Sequence, residues 1–106
     1  MANKEVIKNW IIGIGGSNMD GVAFCRMTGS KEDVKERLFN AVLGERNLAD
    51  NIGYFDFGTY SAEDVTERED GCLYAYNCFS DYHTDYEAIP EENILVLKEA
   101  YTNGAY

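Results

Sequence analysis

Basic residues are scarce in this chain: nine lysines and arginines stand against 19 aspartates and glutamates, for a net charge of −10 over 106 residues. A surface that grips phosphates through its overall field is thereby excluded, because such a charge repels a polyanion. Proline and histidine occur once each, and cysteine three times, at Cys25, Cys72 and Cys78, without CxxC spacing. An odd, sparse set of cysteines is no disulfide framework, so reduced thiols and a cytoplasmic location are expected. Long apolar runs are missing too. Trp10-Ile11-Ile12-Gly13-Ile14 is too short for a signal-peptide core and far too short to span a bilayer. No segment has linker or low-complexity composition, so residues 1–106 read as a single domain with a tail frayed after about residue 100.

Apolar residues are not lacking. They make up 45% of the chain and aromatics 13%, more than a disordered acidic tail carries. Val6 to Gly16 combines β-branched residues and a tryptophan with a glycine cluster, which predicts a strand ending in a turn at Ser17–Gly21. Val22 to Met27 reads as the returning strand of a hairpin, with Cys25 as a small core residue. Ser30 then opens a helix. Its hydroxyl is placed to cap the N–H of Asp33, and Val34, Leu38, Ala41 and Val42 share one helical face up to a C-cap at Gly44.

Tyr54 to Thr59 predicts a short strand. The segment Ser61-Ala62-Glu63-Asp64-Val65-Thr66-Glu67-Arg68 then repeats six of the eight residues of Ser30–Arg37, at an offset of 31. The flanks do not align, so the repeat is read as a shared helix-start idiom rather than a duplication, with a short second helix ending near Asp70-Gly71. Cys72 to Phe79 and Asp81 to Ile89 predict a second antiparallel pair, which Pro90 ends. On its first strand Leu73, Ala75, Asn77 and Phe79 share one face, and Cys72, Tyr74, Tyr76 and Cys78 share the other. Ile94 to Leu97 is read as a last strand in preference to the start of a short C-terminal helix. The order β-β-α-(β)-α-β-β-β indicates an α+β fold: a small antiparallel β-sheet of about four to six strands, with one well-formed and one short helix packed on one face.

Few constellations suggest catalysis. Gly13-Ile14-Gly15-Gly16-Ser17-Asn18 follows a strand, but it lacks a lysine and leads into another strand, so a hairpin is favoured over a phosphate loop. Asp81, His83 and Asp85 would point the same way from an extended segment and form a candidate divalent-metal set, the basis of an alternative reading as a metal-binding module or metal-dependent enzyme. Cys72 or Cys78 beside His83 is a formal nucleophile–base pair. Neither reading outweighs a solvated strand face, so no catalytic residue and no cofactor is assigned.

The distribution of charge carries the stronger signal. Residues 51–106 hold twelve carboxylates against Arg68 and Lys98, so they carry the entire net charge, and all eight tyrosines lie there as well. Tyrosine offers contact area at low entropic cost, and interspersed carboxylates complement a basic surface and speed encounter. Tyr74, Tyr76, Asp81, Tyr82, Asp85, Tyr86, Glu87, Glu91 and Glu92 are therefore the candidate partner-binding residues. The expected partner is a basic protein, such as a nuclease or another nucleic-acid-binding protein, with no direct contact to nucleic acid or membrane. Size and charge, though no motif, resemble small phage or mobile-element inhibitors that act as DNA mimics and immunity proteins that neutralise nuclease toxins. That resemblance implies inhibition by occlusion. A homodimeric subunit joined through the tyrosine-bearing sheet is a third reading, opposed by the repulsion between two acidic faces.

Overall fold

Alternating apolar and polar residues near each end of the chain build one antiparallel sheet in the computed structural model, which describes residues 6–17, 23–50, 53 and 55–94. Strands β1 (Lys8–Gly16) and β2 (Ala23–Gly29) form the expected hairpin, although most of its turn lies outside the described residues. After helix α1 (Lys31–Asp50) come β3 (Phe55–Gly58), a 3₁₀ turn (Ala62–Asp64), β4 (Thr66–Glu67), β5 (Leu73–Phe79) and β6 (His83–Pro90). The sheet order is β2-β1-β6-β5-β3, and β4 pairs with the other end of β5 on the same side as β3. The fold is α+β, with six strands and one long helix.

The helix covers one face of the sheet. Val34, Leu38 and Val42 are buried against Trp10, Ile12, Leu73, Ala75, Tyr86 and Ala88. Each such aliphatic side chain contributes roughly 1.5–3 kcal/mol on burial. Trp10 is anchored as well as buried, since its indole N–H donates to the Gly29 carbonyl at 3.1 Å. The N-terminus of α1 is capped reciprocally. Ser30 Oγ accepts from the Asp33 N–H and Asp33 Oδ2 accepts from the Ser30 N–H, both at 3.2 Å.

Several expectations are corrected. Gly44 does not end the helix, which runs six residues further to Asp50. A mid-helix glycine costs about 1 kcal/mol, but the following turn is held by more than that. Glu45 accepts hydrogen bonds from the sheet, Arg46 donates to the Thr59 carbonyl, and Ala49 is buried. The second octapeptide forms only a 3₁₀ turn before it straightens into β4. Ser61 makes no side-chain cap, and the positions four, seven and eight after Val65 are Glu69, Cys72 and Leu73, not an uninterrupted apolar stripe. Val65 nevertheless joins the same core cluster as Val34.

Cys25 is exposed rather than in the core, because β2 is the outermost strand and its first half extends beyond the helix. Ile94 belongs to a helical turn over residues 91–94 and begins no strand; the rest of that predicted strand and the tail lie outside the described residues. Glycine meets a steric demand at Gly16, where an added Cβ would collide with the His83 carbonyl oxygen. The glycine cluster is thus the end of a strand packed against β6. No helix among the described residues is long and apolar enough to cross a membrane.

Candidate functional site

Among the described residues the long helix covers one face of the sheet and nothing covers the other, and register decides which side chains reach that open face. On β5 these are Tyr74, Tyr76 and Cys78, facing Glu87, Asp85 and His83 respectively on β6. The bulge between Phe55 and Phe57 turns Phe57 onto this same face opposite Cys78, where it is 49% exposed. An aromatic row results. Phe57 meets Tyr76 edge-on at 6.2 Å, Tyr76 stacks on Tyr74 at 5.9 Å, and the Arg68 guanidinium lies 4.8 Å from the Tyr74 ring centre.

Polar contacts fix the Tyr74 end of this row. The Tyr74 hydroxyl donates to Asp85 Oδ1 at 2.6 Å, and His83 Nε2 lies 3.1 Å from Asp85 Oδ2. Burial, followed by the bond to Asp85, pushes the Tyr74 phenol well above its ordinary pKa, so it stays a donor even in alkaline solution that would ionise an exposed tyrosine. Arg68 also pairs with Glu87. The Tyr74 ring, stacked and hydrogen-bonded, loses little further freedom on contact with a partner, which lowers the cost of ordering this part of the surface.

Asp85 and Glu87 lie among these rings, and both are paired within the chain; other carboxylates are unpaired. Asp56 on β3, Glu63 and Asp64 in the 3₁₀ turn, and Glu69 and Asp70 in the turn after β4 are exposed and, among the described residues, have no ion-pair partner. Asp70 is held below the usual carboxylate range by the Cys72 N–H, which donates to its Oδ1 at 2.9 Å. Tyr60, 61% exposed, lies between β3 and the 3₁₀ turn with its ring 5.5 Å from the Arg46 guanidinium.

The nine residues singled out in the sequence do not form one patch. Tyr74, Tyr76, Asp85 and Glu87 share the open face. Tyr86 points the other way, is 3% exposed, and donates its hydroxyl to Glu45 Oε1 at 2.6 Å beneath the helix. It therefore presents no surface. Tyr82 stacks on Phe79 at 4.7 Å, closing the end of the core, and Asp81 is exposed in the turn between β5 and β6. Glu91 and Glu92 lie beyond β6 and pair with Arg26 and Lys8 at 2.6 and 2.9 Å.

The metal set does not assemble. Among the described residues no three His, Cys, Asp or Glu side chains are grouped to hold an ion, and Asp81 lies in the turn, outside the strand that carries His83 and Asp85. Cys78 is opposite His83 in the ladder, whereas Cys72 lies beyond the far end of β5. Burial first, then Asp70, pushes the Cys72 thiol up to about 11, the reverse of an activated nucleophile.

Phe57 and Arg68 belong to the aromatic row but were missed in the sequence. Simple alternation from Phe55 would have put Phe57 on the face opposite Asp56, and nothing local announces the bulge. Comparison with protein-family models, with characterised proteins and with solved structures finds no match to this chain.

Proposed function

We propose that this protein is a small interaction module that seats the open face of its sheet, together with the acidic β3–β4 edge, on a basic surface of another protein. The observation that carries the reading is the row Phe57–Tyr76–Tyr74 on a sheet face that no element of the described chain covers, in a protein whose β3–β5 segment also exposes five unpaired carboxylates. Aromatic rings held in place supply the desolvated centre of an interface, and the acidic rim supplies steering toward positive charge. A surface that normally receives phosphates fits this description, so occlusion of a nuclease or another nucleic-acid-handling protein is the action proposed.

The acids that would stand in for phosphates differ from those first singled out. Asp85, Glu87, Glu91 and Glu92 are each held by a histidine, arginine or lysine of the chain itself. A partner's cations would have to displace these partners, whereas Asp56, Glu63, Asp64, Glu69 and Asp70 are free to meet them among the described residues.

The test is affinity capture from host lysate with the wild type and with Phe57→Ala/Tyr76→Ala, at low salt and at roughly 0.5 M, where the Debye length is ~4 Å. The expected result is one basic protein that the wild type retains, that salt weakens and that the double variant loses. Equal capture by both chains, or no specific capture, would overturn the reading.

A further inference from the structure

The two edges of the sheet are built differently. The β3–β4 edge is broken by a bulge and a 3₁₀ turn and carries the unpaired carboxylates, devices that keep a strand edge from pairing with another chain. β2, at the opposite edge, has none of these. Its seven residues pair with β1 in regular register, it contains no proline, and its one charged residue, Arg26, is paired with Glu91 in an exposed ion pair. Phe24 is 67% exposed on it, and Cys25 is exposed too.

The ladder shows which main-chain groups of β2 have no partner among the described residues. The Ser17 N–H donates to the His83 carbonyl at 3.1 Å and the Phe79 N–H to the Tyr82 carbonyl at 2.7 Å. Antiparallel alternation then directs the groups of Ile11, Gly13 and Gly15 toward β6, and those of Trp10, Ile12 and Ile14 toward β2. Ala23, Cys25 and Met27 are consequently bonded to β1, and Phe24, Arg26 and Thr28 turn their N–H and C=O groups outward.

We propose that this edge pairs with the same edge of a second copy, antiparallel about a two-fold axis at Cys25. In that register Phe24 and Arg26 of the second copy form a hydrogen-bonded pair, repeated by symmetry, so aromatic ring and guanidinium lie side by side on the open face. Cys25 faces its counterpart in a non-hydrogen-bonded pair, with Cα atoms ~4.5 Å apart. Shifting the axis by one residue to Arg26 would instead set the two guanidiniums opposite each other, an unfavourable cross-strand pair. Net charge does not oppose this contact as it opposes face-to-face pairing. The acidic edge lies four strand spacings from β2, about 19 Å, beyond the Debye length of ~8 Å at physiological salt. The two-fold axis also puts both open faces on one side of a continuous sheet.

The experiment is light scattering on the reduced full-length chain across a concentration series, with Cys25 probed by a short bismaleimide. The expected result is a reversible dimer that cross-links through Cys25 and not in Cys25→Ser. Phe24→Lys, which sets a like charge beside Arg26 twice, should weaken the dimer roughly tenfold, while Phe24→Glu keeps or tightens it. Both variants change an exposed side chain, and circular dichroism verifies that they fold. A monomer at every concentration, a dimer without the Cys25 cross-link, or equal weakening by both substitutions overturns the proposal. So does loss of the dimer in Phe57→Ala/Tyr76→Ala, which would move the contact to the open face.

Discussion

Tyr86→Phe removes one oxygen from the most connected polar site of the fold. That hydroxyl donates to Glu45 Oε1 at 2.6 Å, where Asn77 Nδ2 also donates at 3.0 Å, and Thr84 Oγ1 donates to Oε2 at 2.7 Å. A hydrogen bond to a charged group contributes about 1.5–3 kcal/mol, and since Glu45 keeps two donors the lower end applies, ~1.5 kcal/mol. For a domain of this size that is a Tm lowered by roughly 6–12 °C at neutral pH. The substitution should act on alkaline stability too. Burial, then the bond to Glu45, raises the Tyr86 phenol above its ordinary 10.0, so the folded chain holds this proton more tightly than the unfolded one. Its contribution is complete below that value and lost as pH rises above it. Cys72, raised from 9.0 to about 11, acts in the same direction from lower pH, and Tyr74 is raised like Tyr86. Wild-type stability should therefore begin to decline above pH 9. Tyr86→Phe should start lower at neutral pH and lose less above pH 10, while the Cys72 part of the decline remains. Urea titrations followed by Trp10 fluorescence at a series of pH values measure both effects. A neutral-pH midpoint equal to wild type, or an unchanged alkaline slope, would refute the reasoning.

Other substitutions divide by the same logic. Asn77→Asp would place a second carboxylate against Glu45 in the buried interface, and should lower stability by about 3 kcal/mol at neutral pH with partial recovery in acid, read from urea midpoints at both pH values. Gly44→Ala has open space around its new methyl and should raise stability by about 0.5–1 kcal/mol. Gly16→Ala meets the His83 carbonyl and should lower it by about 1–3 kcal/mol, so calorimetry should show Tm shifts of opposite sign for the two alanines. Ser30→Ala loses a real cap and should cost about 1 kcal/mol, while Ser61→Ala, which removes no cap, should stay within about 0.5 kcal/mol of wild type in the same urea assay.

Local chemistry in the sequence was enough for much of the architecture. The cap at Ser30, the stripe Val34–Leu38–Val42 and the alternation of β5 and β6 depend on neighbours within a few residues, and each appears in the structure at its expected place. Chain-wide segregation of charge and tyrosine was equally plain. Which tyrosines are displayed was only half legible: strict alternation put Tyr74 and Tyr76 on one face, but the face that the helix covers is chosen by packing, and that choice buries Tyr86.

Tertiary structure alone decided the rest, for one recurring physical reason. Interactions between residues distant in sequence outweigh local preferences of about 1 kcal/mol. The same octapeptide idiom is helix at Ser30–Arg37 and a turn leading into β4 at Ser61–Arg68, because only the first is followed by an apolar stripe for the sheet to bury. Gly44 is crossed because Glu45 and Arg46 are held by partners at Asn77, Thr84, Tyr86 and Thr59. Carboxylates alike in sequence separate into paired and unpaired groups once folding brings Arg26, Arg68 and Lys8 to them from elsewhere in the chain. Composition determined that the protein would be acidic and folded; the packing of one helix on one side of the sheet decided which aromatic and acidic side chains it displays.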